Sequence, residues 1–345
     1  MDVLIFDMDG VLIDVSNSYR KAIQQTIRIY LEDCLRIKGG LVTDEEISLF
    51  KSVGGFNSDW DLTSGLLLYL LSISGIPPLP RRKKFSSTEQ IVPYLQETSF
   101  RFLKKTPIQI KRKSLRAFLG KVMASSGGLR GVRQALKNSW DGWVYRSGDL
   151  DGENLVKRIF QEIYLGEKFT SYYHLPRLFY RGKGYYLREK PLIPKNILAI
   201  LRKNIRMGIA SGRPRFEAEL AMYRFRLLSY FDSIVTLDEC EKEELRIFRS
   251  TGKKLKLSKP HPYSILRAVQ ETGIPNPQCG YIGDVVDDML AAKAAKKELS
   301  ILAIGFLSDR RNRKMMKKSL LHAGADLVIE NPRELLHLLN HQICL

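Results

Sequence analysis

A run of four apolar residues, Val3-Leu4-Ile5-Phe6, passes straight into Asp7-Met8-Asp9-Gly10. The run is short and partly β-branched, so it reads as a buried strand that carries two carboxylates to its carboxyl end. Its companions are far away in the chain. Met207–Ala210, Ser233–Leu237, Cys279–Ile282, Ile301–Ile304 and Asp326–Ile329 read as further short strands, all lying after residue 193. They alternate with helical segments at Pro194–Lys203, Pro214–Leu227, His261–Thr272, Asp287–Lys297 and Glu334–Leu339. That alternation indicates an α/β fold built on a doubly wound, Rossmann-like parallel sheet. The first strand can join such a sheet only across a long insertion. The expected organisation is therefore a core of residues 1–15 and 193–345, interrupted by a mainly α-helical cap of residues 16–192.

Within the cap, Ser16–Arg36 reads as a helix stopped by Gly39-Gly40, and Thr43-Asp44-Glu45-Glu46 reads as a capping box that opens a second helix. Gly54–Asp61 reads as a tight polar loop carrying Trp60, followed by a helix over Leu62–Ile73. Asp149–Asn154 reads as a turn that caps a helix over Glu153–Leu165. Between residues 80 and 126 the periodicity weakens and basic residues crowd in, which suggests an exposed loop or a partly disordered insertion.

The charge is uneven. The net charge is +19, and eleven Lys and Arg fall between residues 81 and 116 against Glu89 and Glu97 alone. Six more basic residues lie between Arg310 and Lys318. Basic patches attract nucleic acid, anionic membranes or anionic substrates. Here a solvated face is the plainer reading, because the aromatic residues needed for stacking on bases are sparse. No apolar run approaches the ~18 residues of a membrane span. A secretory leader is not expected, because the first strand begins at residue 3, and the four cysteines form no CxxC pair. A reducing cytoplasm is the expected setting.

Four stretches concentrate chemistry at strand or helix ends. Asp7 and Asp9 point the same way if the strand persists and suit a shared divalent cation. Ser211-Gly212-Arg213-Pro214 follows a strand and begins a helix, where a hydroxyl and main-chain N–H groups suit phosphoryl oxygens or, equally, a capped turn. Lys259 precedes a helix. In Tyr281-Ile282-Gly283-Asp284-Val285-Val286-Asp287-Asp288 a strand again ends in glycine and acids, a second oxygen-donor group for a cation.

Together, Asp7-Met8-Asp9-Gly10-Val11-Leu12-Ile13-Asp14, Ser211, Lys259 and Gly283-Asp284 with Asp287-Asp288 resemble the motif set of the haloacid dehalogenase-like superfamily, subfamily I, over residues 1–15 and roughly 193–330. Val285 departs from the Ser or Thr that many relatives carry. Gly54–Asp61, Gly148–Gly166 and the run Gly283-Asp284-Val285-Val286-Asp287-Asp288 also look like a hydrolase subgroup associated with histidine-biosynthesis enzymes. The resemblance implies a phosphatase for a small phosphorylated metabolite. Asp7 would be the nucleophile, through an aspartyl-phosphate, and Asp9 the general acid/base. Mg²⁺ would sit on Asp7, the Asp9 backbone carbonyl and Asp284. Ser211, Gly212 and Lys259 would hold the phosphoryl group, with Asp287 or Asp288 behind them and Asp14 shaping the turn. Asp9 favours phosphoryl transfer over dehalogenation, since a departing halide needs no proton. A phosphosugar mutase is the nearest alternative, and a nucleic-acid-associated protein using the basic insertion comes from a different class. These groups address only the phosphoryl group, so substrate choice is expected from the cap, through Asn57, Asp59 and Trp60.

Overall fold

The computed structural model describes residues 1–38, 42–56, 58–102, 108–307 and 313–340; Gly39-Gly40 and Asn57, both singled out in the sequence, lie outside the described residues. The chain divides into two compact units, Met1–Val15 with Glu189–Leu345, and Ser16–Arg188. Residues 189–192, which the sequence assigned to the cap, belong instead with the first unit. The reason is local pairing: Lys190–Pro191 forms a short antiparallel ribbon with Ile13–Asp14.

In chain order the strands of the first unit are β1 (Val3–Phe6), β2 (Ile13–Asp14), β3 (Lys190–Pro191), β4 (Arg206–Ala210), β5 (Ser233–Val235), β6 (Cys279–Gly283), β7 (Ile301–Phe306) and β8 (Leu327–Ile329). Six of them form one sheet in the order β5-β4-β1-β6-β7-β8, with every neighbouring pair parallel. This is an α/β, Rossmann-like fold. Strand β1 lies in the middle, paired with β4 on one side and β6 on the other, and all four of its side chains are fully buried. A strand covered on both faces has no polar side, which explains its unbroken apolar run. From β1 the chain builds outward to β5, then returns to the other flank at β6. Such a reversal leaves a crevice at the carboxyl ends of the central strands, where α/β sheets bind ligands.

Two helices of this unit were not anticipated. Leu237–Thr251 starts from a capping box between Thr236 and Glu239, yet buries only Cys240. Arg313–Ala323 carries part of the second basic stretch.

The second unit is helical. Asp59–Ser74 buries an almost continuous run from Leu62 to Leu71 and ends at Gly75 in the left-handed conformation. Tyr19, on the helix Tyr19–Ile29, stacks on Tyr164 at 4.4 Å and on Phe160 at 5.8 Å, both from the helix Leu155–Leu165. The Thr43 and Glu46 capping box forms as expected. Two expectations fail. Asp59, Trp60 and Asp61 are helical, because Ser58 caps the helix and sets its start earlier. Residues 80–126 hold the helices Thr88–Ser99 and Arg112–Ala124, not a loop alone. Ile91 and Leu95, then Leu115, Leu119 and Val122, form their buried faces, while Lys111, Arg112, Lys113, Arg116 and Lys121 are exposed. On Arg112–Ala124 the clustered charge of the outer face concealed the helical spacing beneath it; Thr88–Ser99 carries no Lys or Arg, and Pro93 interrupts its pattern. No helix among the described residues is long and apolar enough to cross a membrane.

One buried ion pair fixes the chain that follows Leu155–Leu165. Glu162, fully buried, accepts hydrogen bonds from Arg158 Nε at 2.8 Å and from the N–H groups of Leu178, Phe179 and Tyr180 at 3.0, 2.7 and 3.0 Å. Arg158 also donates to the Pro176 carbonyl at 2.5 Å. Glu162→Gln should turn an amide N–H towards backbone donors and strand the Arg158 charge, at a cost of about 3 kcal/mol. Urea unfolding checks this; a loss below about 1 kcal/mol, the worth of an exposed pair, would contradict it.

Candidate active site

The centre of the site is a buried ammonium. Lys259 Nζ lies 2.6 Å from Asp7 Oδ1, at the end of β1, and 2.6 Å from Asp288 Oδ1, in the helix Val286–Ala295. It also donates to Tyr281 Oη on β6 at 3.0 Å and to the carbonyl of Ala210, the last residue of β4, at 3.3 Å. One side chain thus gathers the carboxyl ends of three adjacent strands. Tyr281 Oη in turn donates to Asp288 Oδ1 at 2.8 Å. The second oxygen of Asp288 accepts the N–H groups of Asp284 and Val285 at 3.1 and 3.2 Å. Asp288 is therefore committed on both oxygens to holding Lys259 and the turn after β6. Of Asp287 and Asp288, Asp288 is the one that stands against Lys259.

The acids converge. Asp7, Asp284 and Asp288 each present a carboxylate oxygen within 4.8 Å of the others. Gly10 is what lets Asp284 approach: it has φ +79°, and a Cβ there would collide with the Asp284 carboxylate. The turn closes with Gly10 N–H on the Ile13 carbonyl at 2.8 Å. Three carboxylates around one spot are hard oxygen donors of the kind a divalent cation takes. Because Asp288 is already saturated by four donors, Asp7 and Asp284 are the pair suited to such an ion.

Asp9 is placed differently. Its carboxylate meets Arg213, with Nε 2.6 Å and Nη2 2.5 Å from Oδ1. Arg213 is buried and also contacts Glu189, at 3.0 Å from Nη2 to Oε1. Ser211 sits at the end of β4 beside β1, buried, and its hydroxyl accepts the Arg213 N–H at 3.2 Å. A Cβ at Gly212 would meet nothing within 4 Å, so sterics do not demand glycine there. Arg213, Glu189 and Tyr281 belong to the site but were not assigned from sequence. Arg213 stands in the same short motif as Ser211, and Tyr281 opens the stretch that carries Asp284, which were the available signals; Glu189 had none.

The cap residues have partners within their own unit. Asp59 pairs with Lys51 at 3.0 Å. The Lys157 ammonium lies 4.6 Å from the centre of the Trp60 ring, and Phe160 meets that ring edge-on at 6.2 Å.

Charge states follow from burial and neighbours. Burial is the largest influence on Asp7 and opposes its ionisation; Lys259 draws the pKa down, Asp288 and Asp9 push it up, and the result is about 7. Burial alone would lower the Lys259 pKa, but Asp288 and Asp7 outweigh it and hold the ammonium well above its ordinary value. Burial and Asp288 likewise keep the Tyr281 phenol protonated far beyond its usual range.

Parts of the chain are similar to known proteins. The family description "haloacid dehalogenase-like hydrolase" matches residues 183–299. The chain is 24% identical over 152 residues to the N-acetylmuramic acid 6-phosphate phosphatase of Pseudomonas aeruginosa, covering 44% of this chain and 58% of that protein. A stretch of 68 residues is 41% identical to an imidazoleglycerol-phosphate dehydratase of Phytophthora nicotianae, covering 20% of this chain and 13% of that one. The chain thus spans less than two thirds of either relative. The solved structure of phosphatase Tt82 from Thermococcus thioreducens is similar in fold, with a TM-score of 0.52 at 19% identity, over 92% of this chain and 99% of that one.

The Asp7 environment sets a stability trend. Unfolded, its carboxyl ionises near 3.8; folded, it keeps its proton up to about 7. Stability attributable to this proton is full below the lower value and is lost as pH rises through the upper one. In metal-free buffer, the melting temperature of Asp7→Asn relative to wild type should climb across that interval and then level off. Thermal melts at a series of pH values check it, and a constant difference would contradict it.

Proposed function

We propose that the chain, which resembles the haloacid dehalogenase-like hydrolases over residues 183–299, is a Mg²⁺-dependent phosphatase that hydrolyses a small phosphorylated metabolite through Asp7. The observation that carries this reading is the buried Asp7 carboxyl group, 2.6 Å from Lys259 and clustered with Asp284 and Asp288. The relative named as an N-acetylmuramic acid 6-phosphate phosphatase supports a phosphomonoester of that size.

A phosphomonoester dianion repels an attacking carboxylate unless positive charge intervenes. Mg²⁺, held by Asp7 and Asp284 with the Asp9 carbonyl, would supply that charge when bound. Lys259 adds a fixed ammonium, and its three other contacts keep it aimed at Asp7 without reorganisation during reaction. The Ser211 hydroxyl and the main chain at Gly212 orient the phosphoryl oxygens. Asp7 attacks phosphorus; an O–P bond forms to its carboxylate as the bond to the leaving oxygen breaks. Asp9 gives its proton to that oxygen. Water then attacks the aspartyl-phosphate, Asp9 takes the water's proton, and Asp7 is freed with inorganic phosphate. Asp288 serves this sequence by holding Lys259 and the turn that presents Asp284.

Two outcomes test the reading. Asp7→Asn should lower Mg²⁺-dependent release of phosphate from phosphomonoesters by roughly a thousandfold or more; turnover near wild type would overturn it. Independently of turnover, saturating Mg²⁺ should stabilise the wild type by about 3 kcal/mol at a hundred times its dissociation constant. That gain should vanish in Asp284→Ala, as read by thermal melting. An equal gain in both proteins would remove Asp284 from the metal site.

A further inference from the structure

We propose that Arg213 is a positioning residue that holds Asp9 for proton transfer to the leaving group, and that Glu189 fixes Arg213 in turn. The inference rests on the reading that Asp9 exchanges that proton.

The arrangement exceeds what charge balance requires. The Arg213 side chain is 1% exposed, and a guanidinium withdrawn so far from water needs a partner. Glu189, also 1% exposed, provides one, through Nη2 to Oε1 at 3.0 Å and Nη1 to Oε2 at 3.4 Å. The Glu217 carbonyl accepts a further bond from Nη1 at 3.4 Å. A buried Arg–Glu pair is already neutral. Arg213 nevertheless makes its shortest contacts with a second carboxylate, placing Nε at 2.6 Å and Nη2 at 2.5 Å from Asp9 Oδ1. Asp9 is also the open end of the set, with a side chain 30% exposed. The fold therefore spends two short hydrogen bonds on orienting the one member that faces outward.

The connections of these residues make the clamp rigid. Asp9 begins the turn that leads from β1 to β2 and bridges to Ile13. Glu189 directly precedes β3, the strand paired with β2. Arg213 comes from the end of β4, next to β1 in the sheet. The guanidinium thus spans the turn, the ribbon and the sheet. Proton transfer needs donor and acceptor about 2.6–3.2 Å apart, and displacements beyond about 0.5 Å spoil such geometry. The turn after β1 contains Gly10 at φ +79° and has no regular structure of its own to hold Asp9 to that tolerance.

Leaving-group dependence tests the inference. Phenyl phosphate and para-nitrophenyl phosphate have nearly the same shape, but phenolate departs poorly without a proton and para-nitrophenolate departs readily. The kcat/KM for each reports the steps up to loss of that group. With Mg²⁺ present, Arg213→Lys keeps a cation against Glu189 but cannot reproduce both contacts. It should lose about tenfold more on phenyl phosphate than on para-nitrophenyl phosphate, a fraction of the range that general acid catalysis contributes. Glu189→Gln should shift the ratio in the same direction. In Asp9→Asn, adding Arg213→Lys should not change the ratio further, because the group being positioned is gone. Each ratio comes from one preparation, so a partly unfolded variant leaves it intact. Equal losses on both substrates, or a further shift of the ratio on the Asp9→Asn background, would overturn the positioning role and leave Arg213 a structural clamp. A wild type that turns over neither ester would instead overturn the phosphatase reading itself, and the inference with it.

Discussion

The Lys259 ammonium is the contact on which the rest of the site depends. Asp7, Asp284 and Asp288 crowd together at the ends of β1 and β6, and three carboxylates so close would repel one another. At low effective dielectric that repulsion amounts to several kcal/mol per pair. Lys259 lies between two of them, at 2.6 Å from each, with Tyr281 and the Ala210 carbonyl completing its shell. The cation allows the acids to be close, and the acids keep it charged though buried. Neither side of that arrangement could be buried alone.

The two units use buried ion pairs for opposite ends. In the helical unit, Glu162 has every acceptor direction filled by Arg158 and three backbone N–H groups, so the charge is fully answered by protein. Around Lys259 the answer is incomplete: burial and the neighbouring acids hold Asp7 at about 7 instead of its ordinary 3.8. A carboxylate left under-compensated costs stability and is reactive, which is the usual sign of a working group. Asp288, with both oxygens saturated, belongs to the first kind although it stands in the same cluster.

How far these features were legible in the sequence follows from the range over which each acts. Strand β1 announced itself because a central parallel strand is apolar throughout, and its acids because they follow it at once. The sheet and its interruption by helices came from the same local pattern. Lys259 is a single lysine before a proline and carries no local mark of its burial; only the superfamily resemblance pointed to it. Arg213 and Glu189 lie 24 residues apart, and their pairing is a property of the folded unit alone. The helix Arg112–Ala124 was hidden by the basic residues on its outer face, and Thr88–Ser99 by Pro93 in its middle. Leu237–Thr251 was missed although Leu237, Cys240, Leu245, Ile247 and Phe248 recur at helical spacing; the fold buries only Cys240 of that stripe.

The central claim is that Asp7 forms a covalent bond to phosphorus. Rapid acid quenching of the wild-type protein during turnover of a radiolabelled phosphomonoester, followed by peptide mapping, tests it most directly. The account expects label on the peptide containing Asp7, lost on treatment with hydroxylamine as an acyl phosphate must be. Label on Ser211, or turnover that proceeds with no labelled protein at any quench time, would contradict it.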